Sequence, residues 1–193
     1  MIERLRLSIQ RRVPATVNDE EAQRAAVAVI VTGDPQPAIL FVKRKERPGD
    51  PWSGQMAFPG GYAAPTDLSP PATAERETLE EAGLDLANAG HRLGMLDELH
   101  PRSVYLPRII VTPCVFSLPS RLELRPGAEV DAAVWLGVSG LFAKESRRPF
   151  EVMLPTGCQT FESIVVDGFT IWGLTERVLG QLAEVLDSGW GGR

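Results

Sequence analysis

The stretch TAERETLEEAGL occupies residues 73–84 and decides how the rest of this chain is interpreted. Its pattern predicts a helix over Ala72 to Ala82, and Gly83 supplies the stop signal. At 100° per residue, three glutamates of this helix fall within about one third of its circumference. These carboxylates, which share one face, belong to Glu77, Glu80 and Glu81.

The crowding of these carboxylates needs a compensating charge. Like charges three or four residues apart on a helix repel by a few tenths of a kcal/mol per pair. Only Arg76, one turn before Glu80, offers local compensation. A hard divalent cation would offset the repulsion, because Mg²⁺ is typically held by one or two carboxylates together with substrate phosphates. The alternative is a solvated acidic face, the usual environment of glutamate side chains.

A glycine pair ahead of the helix favours the cation. It closes the run FPGG at residues 58–61. Consecutive glycines let the backbone approach a ligand or a metal closely. A glycine pair that leads through a loop into a carboxylate-bearing helix is typical of a phosphate and metal site.

Residues 61–84 resemble the Nudix box. That pattern is a glycine, five residues, an acid, seven residues, and then Arg-Glu-apolar-any-Glu-Glu-any-Gly-apolar. The second half matches without a gap from Arg76 to Leu84. In the first half Asp67 stands in place of Glu, eight residues separate it from Arg76, and Thr78 replaces the usual aliphatic residue. The resemblance implies an α+β fold, an α/β/α sandwich with a mixed central β-sheet between helices.

The resemblance also implies a reaction and a cofactor. Nudix enzymes cleave a diphosphate linked to a second moiety, and the chemistry needs a cation, Mg²⁺ or Mn²⁺, to bridge phosphate oxygens. By the family pattern, Glu77 and Glu81 are the leading metal ligands, and the backbone carbonyl of Gly60 or Gly61 completes the metal shell. Glu80 is a further ligand or the general base, and Arg76 orients Glu80 through an i, i+4 ion pair.

A base from a separate loop is common in the family, and here the candidate is Glu129. It follows Pro126-Gly127 and precedes a predicted strand. The alternative for Glu129 is an exposed acid of a turn.

Two further segments are similar to the coenzyme A pyrophosphatase branch of the family. They are GQMAFPGG at residues 54–61 and FTIWGLTERVL at residues 169–179. That branch also carries an apolar-apolar-Thr-any-Arg-Ser/Ala run and a basic residue four positions before the first glycine. Here VKRKE at residues 42–46 stands in for the run, and Asp50 occupies the basic position. Coenzyme A is therefore favoured over any other single substrate.

Two alternatives remain open. The same chemistry could act on ADP-ribose, a dinucleotide or another nucleoside diphosphate derivative. A hypothesis of a different class is a Nudix-fold ligand-binding module without turnover. Such a module is expected to have lost one or more box carboxylates, and all three glutamates are present here.

The substrate-binding candidates lie before the box. The polar segment from Lys43 to Gln55 is predicted to be a loop. Its basic residues are candidates for contact with the diphosphate or with the 3′-phosphate of coenzyme A, and a solvated basic loop is the alternative. The candidates are Lys43, Arg44, Lys45 and Arg47, with the Gly60 backbone beside them and with Trp52 and Tyr105 as aromatic residues that could stack on an adenine.

Composition excludes several classes of partner and site. The formal charge of −5 argues against a broad basic surface for nucleic acid. The longest apolar run, residues 25–31, is far below the ~20 residues that a membrane-spanning helix requires. Two cysteines without CxxC spacing and two histidines exclude a disulfide scaffold and a structural zinc site. The start of the chain lacks the apolar core of a secretory signal, so the expected compartment is the cytoplasm.

The chain is predicted to form a single domain over residues 1–193, with a short N-terminal extension over about residues 1–20. A homodimer is the family-level expectation for its assembly. Outside the box, strands are predicted at 25–31, 39–42, 93–99, 108–116, 132–136 and 164–166, and helices at 2–12, 138–143 and 174–186.

Overall fold

A mixed β-sheet forms the centre of the fold, and the candidate site is built at one end of its interior strands. The structure is a computed structural model, and it describes residues 1–47, 53–101, 107–154 and 157–188. In chain order the elements are α1 (Ile2–Gln10), β1 (Gln23–Thr32), β2 (Ala38–Arg44), β3 (Met56–Ala57), β4 (Gly60–Tyr62), α2 (Pro70–Ala82), α3 (Leu86–Ala89), β5 (His91–Met95), β6 (Ile109–Leu118), β7 (Val130–Gly137), α4 (Val138–Leu141), a 3₁₀ helix (Lys144–Ser146), β8 (Arg147–Leu154), β9 (Gly157–Val166), β10 (Phe169–Trp172) and α5 (Gly173–Ser188).

Strand β1 organises the sheet. It pairs in parallel with β6 along its whole length, from Gln23 opposite Ile109 to Thr32 opposite Leu118. On its other side β1 pairs antiparallel with β2 and with β4. The strand order is β3-β2-β1-β6-β5, and β7 extends the sheet by pairing with β2.

Alternate residues of β1 supply the two cores on the two faces of the sheet, because successive side chains of a strand point to opposite faces. Val29 and Val31 pack with residues of α1 and α5. Ala28 and Ile30 pack with residues of α2 and α3. Helices therefore cover both faces, which confirms the α+β sandwich with a mixed central sheet.

Helix α2 begins slightly earlier than the pattern predicts and ends where it predicts. The Ser69 side chain accepts a hydrogen bond from the Ala72 amide, and prolines occupy the first two helical positions. Both features favour a helix start. The helix ends at Gly83, whose φ of 66° is in the left-handed region that favours glycine.

A second, three-stranded antiparallel sheet was largely missed by the sequence prediction, which placed only a short strand at 164–166. It consists of β8, β9 and β10 in the order β10-β9-β8. Most residues of β9 are exposed. The apolar alternation that indicates a half-buried strand is therefore weak there.

Within the described ranges, no helix is long and apolar enough to cross a membrane.

The prediction that the basic segment is a loop from its first residue was wrong for Lys43 and Arg44. Both residues continue β2, paired with Ala132 and Val130 of β7.

Candidate active site

Two of the three clustered glutamates, Glu77 and Glu81, line a cavity of about 530 Å³ at the amino-terminal ends of the parallel strands β1 and β6. They are i, i+4 neighbours on α2, so their side chains lie on the same face of the helix. Glu81 is 4% exposed, and the Glu77 side chain is 16% exposed. The helix therefore presents two largely buried carboxylates to one cavity.

The glycine pair of β4 lies directly against these carboxylates. The Gly60 amide donates a hydrogen bond to Glu81 Oε2 at 3.0 Å. A Cβ atom at Gly60 would lie 2.4 Å from the Ala26 carbonyl oxygen, and one at Gly61 would lie 2.5 Å from Glu77 Oε1. No side chain fits at either position without a shift of β1 or of a carboxylate. Glycine is required here because three elements approach one another closely.

Burial makes negative charge costly at both carboxylates. The pKa of Glu81 is raised to about 7, chiefly by burial. The Gly60 amide and Arg44 act against this rise, and the charges of Glu77 and Glu129 add to it. Burial also raises the pKa of Glu77, against the lowering effect of Arg76. A bound cation would relieve this cost, and carboxylate oxygens are the ligands that Mg²⁺ and Mn²⁺ prefer.

The carboxylate oxygens of Glu77 and Glu81 therefore suit a hard cation, although two side chains are fewer than a complete set of ligands. Among the described residues, no group of three His, Cys, Asp or Glu side chains is arranged closely enough to hold a metal ion. Glu77 and Glu81 form the side-chain pair, and the backbone around Gly60 and Gly61 lies beside them.

Arg76 connects the helix to the preceding loop. Its guanidinium donates to Asp67 at 3.0 Å, to Glu77 at 2.7 Å and to the Tyr62 carbonyl oxygen at 3.0 Å. Its contact with Glu80 is longer, at 3.3 Å. The predicted ion pair between Arg76 and Glu80 is thus one of several contacts of Arg76. The contact of Arg76 with Asp67 was not predicted from the sequence. The position of Asp67 as the acid of the box pattern was the signal that could have indicated it.

Asp67 is expected to stabilise the folded protein at neutral pH. Its hydrogen bonds with Arg76 and with the Ala64 amide lower its pKa from 3.8 to about 2. Because the folded-state pKa is depressed, this stabilisation is present above the unfolded value and is lost as the pH falls from about 4 to about 2. Asp67→Asn should lower the free energy of unfolding at pH 7 by about 1–3 kcal/mol.

Urea unfolding of wild type and Asp67→Asn from pH 7 down to pH 3 checks this, with Asp131→Asn at an exposed position of β7 as the control. The difference between wild type and Asp67→Asn should be constant above pH 5 and shrink below pH 4. A difference that does not depend on pH would mean that Asp67 acts through packing rather than charge.

Glu80 is separated from its two neighbours. Its side chain is 58% exposed and contacts Arg76, and it is not among the residues that line the cavity. The structure therefore brings Glu77 and Glu81 together and leaves Glu80 at the surface of α2.

Glu129 reaches the cavity from a separate loop, although its side chain is 67% exposed. The loop is attached to the carboxyl end of α2, where the Arg125 amide donates to the Ala82 carbonyl oxygen and the Gly127 amide to that of Glu81. A Cβ atom at Gly127 would lie 1.9 Å from the Glu80 carbonyl oxygen. The loop is thus held at the cavity, and the charge of Glu129 contributes to the raised pKa values of Glu77 and Glu81.

The four basic candidates have different environments. Arg44 lines the cavity and lowers the pKa of Glu81. Lys43 lines a second, adjoining cavity. Lys45 donates through Nζ to the Ala128 carbonyl oxygen at 2.7 Å, and Arg47 lies 3.3 Å from Glu129. The last two therefore contact the loop of Glu129. Trp52 and Tyr105 lie outside the described residues.

An aliphatic wall of the cavity was not predicted from the sequence. It lies beside the carboxylates and joins odd-numbered residues of β1 to residues of β6 and α5. The pattern that could have indicated it is the apolar run of β1, but both faces of that strand are apolar. The wall consists of Ala25, Val27, Ile109, Val111, Leu174 and Val178.

Comparison with known proteins agrees with the resemblance of residues 61–84 to the Nudix box. The family model for the NUDIX domain matches residues 22–153. The uncharacterized Nudix hydrolase NudL of Photorhabdus laumondii is 31% identical over 180 residues, which cover 93% of this chain and 93% of that protein. An uncharacterized protein of Schizosaccharomyces pombe is 34% identical over 160 residues, 72% of this chain, and this chain spans only about half (49%) of its length.

Among solved structures, a MutT/nudix family protein from Enterococcus faecalis superposes with a TM-score of 0.58 at 18% identity. The superposition covers 97% of this chain and 70% of that one. This likeness concerns the fold.

Proposed function

The chain belongs to the Nudix family of hydrolases, which act on diphosphate bonds, and on that premise we propose that it is a Mg²⁺- or Mn²⁺-dependent hydrolase of coenzyme A or its derivatives. The observation that supports a metal-dependent site is the buried pair Glu77 and Glu81 at one cavity, with the Gly60 amide bound to Glu81. Coenzyme A is proposed because the segments around Gly54 and Trp172 are similar to the coenzyme A pyrophosphatase branch.

Glu77 and Glu81 are the proposed metal ligands, with a backbone carbonyl of Gly60 or Gly61. A divalent cation bound there would neutralise phosphate charge and make phosphorus more susceptible to attack. Glu80 is the weaker candidate for a ligand or base, because it is exposed and outside the cavity lining. Arg76 is a positioning residue that holds Glu77 through its hydrogen bond of 2.7 Å.

The proposed reaction is hydrolysis of the phosphoanhydride. The oxygen of a water molecule bonds to one phosphorus, and the bond from that phosphorus to the bridging oxygen breaks. The second phosphate leaves with the bridging oxygen, so each product carries a phosphate monoester in place of the anhydride. Glu129 accepts the proton of the attacking water, and Arg44 binds phosphate oxygens that would otherwise repel the carboxylates.

Replacing Glu129 by Gln should lower kcat by about 10²–10⁴-fold with a smaller change in KM, which is the usual contribution of a general base. Glu123→Gln is the matched control, because Glu123 lies on the same loop and its side chain is 80% exposed. Steady-state kinetics of both variants decides the assignment. Equal kcat values for Glu129→Gln and wild type would move the base to another residue, with Glu80 the next to be tested.

The aliphatic wall supports a substrate with an apolar arm. Val27, Val111 and Leu174 lie in the same cavity as the carboxylate pair. Burial of apolar surface contributes about 25 cal/mol per Å². The pantetheine arm of coenzyme A offers such surface, whereas the second ribose of ADP-ribose is polar. Coenzyme A is therefore proposed ahead of ADP-ribose and dinucleotides.

A product assay with Mg²⁺ tests the proposed substrate against coenzyme A, ADP-ribose, NADH and diadenosine polyphosphates. We expect the highest kcat/KM for coenzyme A, with adenosine 3′,5′-bisphosphate and phosphopantetheine as products. A higher value for ADP-ribose or a dinucleotide would retain the chemistry and replace the substrate. Binding without turnover of any of the four would instead support a ligand-binding module.

A further inference from the structure

A second cavity of about 560 Å³ adjoins the candidate active site. Gln55 and Met56 line both cavities, so the two cavities are neighbours. The second cavity lies between the end of β2 and the three-stranded sheet. Its principal side chains are Lys43, Phe150, Glu151, Phe169, Thr170 and Trp172.

Lys43 places a positive charge in the second cavity. Its neighbour Arg44 lines the first cavity, and Lys43 lines the second, as expected for successive strand residues that point to opposite faces. With the described residues, Lys43 forms no salt bridge and no side-chain hydrogen bond. Its ammonium group is therefore available to an anionic ligand.

Aromatic side chains lie beside this charge. The Trp172 ring lies 5.3 Å from the Phe150 ring, centroid to centroid, and Phe169 lines the same cavity. Aromatic rings are the protein groups on which nucleobases stack. Glu151 is the acidic residue of the lining, and its carboxylate can accept a hydrogen bond from an exocyclic amino group.

The two cavities differ in the kind of group they suit. The wall of the first is aliphatic, whereas the second combines aromatic rings with a lysine. On the premise of the proposed function, we propose that the second cavity binds a nucleoside that carries a phosphate monoester in addition to the diphosphate. Lys43 binds that monoester, Trp172 faces the base, and the apolar arm of the substrate occupies the first cavity.

Isothermal titration calorimetry tests the role of Lys43 by measuring the binding of adenosine 3′,5′-bisphosphate and of AMP, neither of which needs to be hydrolysed. Wild type is expected to bind the bisphosphate at least tenfold more tightly than AMP. Lys43→Met should bind the two with equal affinity, and Lys43→Arg should keep the preference. Lys144→Met is the control, because it removes an exposed lysine outside both cavities. No preference in wild type, or an unchanged preference in Lys43→Met, would overturn the proposal.

Kinetics with coenzyme A and 3′-dephospho-coenzyme A separates this inference from the proposed function. Lys43→Met should raise KM for coenzyme A about tenfold and leave KM for the dephospho form unchanged. If both forms are hydrolysed and Lys43→Met has the same KM values as wild type, the role of Lys43 is refuted and the proposed function stands. If neither is hydrolysed but the calorimetric preference depends on Lys43, the proposed function fails alone.

Discussion

Glu81→Gln is expected to lower kcat/KM by about 10³-fold, because the loss of a preorganised charge at a reacting phosphate has effects of this size. The variant is expected to remain folded. Glutamine keeps the shape of the side chain and removes the charge that a cation requires. Since burial raises the pKa of Glu81 to about 7, the neutral side chain also removes a cost of folding. Thermal unfolding at pH 8 should therefore show an equal or higher Tm for the variant.

Glu77→Gln should behave in the same way, and Glu75→Gln is the matched control for both variants. Glu75 lies on the same helix but pairs with Arg92 at 2.9 Å, outside the cavity. Steady-state kinetics with saturating Mg²⁺ should place the control within a few-fold of wild type. Near-normal turnover in Glu77→Gln or Glu81→Gln would mean that the ligands are misassigned.

Gly61→Ala is also expected to lower the activity strongly. The new Cβ atom would lie 2.5 Å from Glu77 Oε1 and 2.6 Å from its Cδ, so the carboxylate has to move. A displacement of about 1 Å at a catalytic group can cost about 10²-fold in rate. We expect kcat to fall by that amount while far-UV circular dichroism stays unchanged.

Gly180→Ala is the control for adding a methyl group. Gly180 lies inside α5, where an added Cβ atom meets nothing within 4 Å. Alanine in a helix interior is more favourable than glycine by about 0.5–1 kcal/mol, so this variant should be as active as wild type and slightly more stable. Full activity in Gly61→Ala would show that Glu77 is not needed in its present position.

The sequence predicted α2 well and the second sheet poorly, for physical reasons. Helix α2 carries local signals, a glutamate face and a terminal glycine, that do not depend on distant residues. Strands β8 and β9 pair with each other through backbone groups, while most side chains of β9 are exposed. The sequence of β9 therefore lacks the regular apolar alternation by which strands are found.

The site shows the same division between local and distant information. The i, i+4 spacing places Glu77 and Glu81 together, but the same helical face also includes Glu80. Only the approach of β4 and of the loop of Glu129 distinguishes the buried pair from the exposed neighbour. The contact of Arg76 with Asp67 depends on the fold of the intervening loop, which the box pattern did not supply.

We propose that the Glu77–Glu81 pair supports metal-dependent hydrolysis of a diphosphate. The most direct measurement is mass-spectrometric detection of the products from coenzyme A, for wild type and Glu81→Gln, with Mg²⁺ and with EDTA. We predict adenosine 3′,5′-bisphosphate and phosphopantetheine from wild type with Mg²⁺ only, and about 10³-fold less from Glu81→Gln. Equal product formation in EDTA, or by Glu81→Gln with Mg²⁺, would contradict the claim.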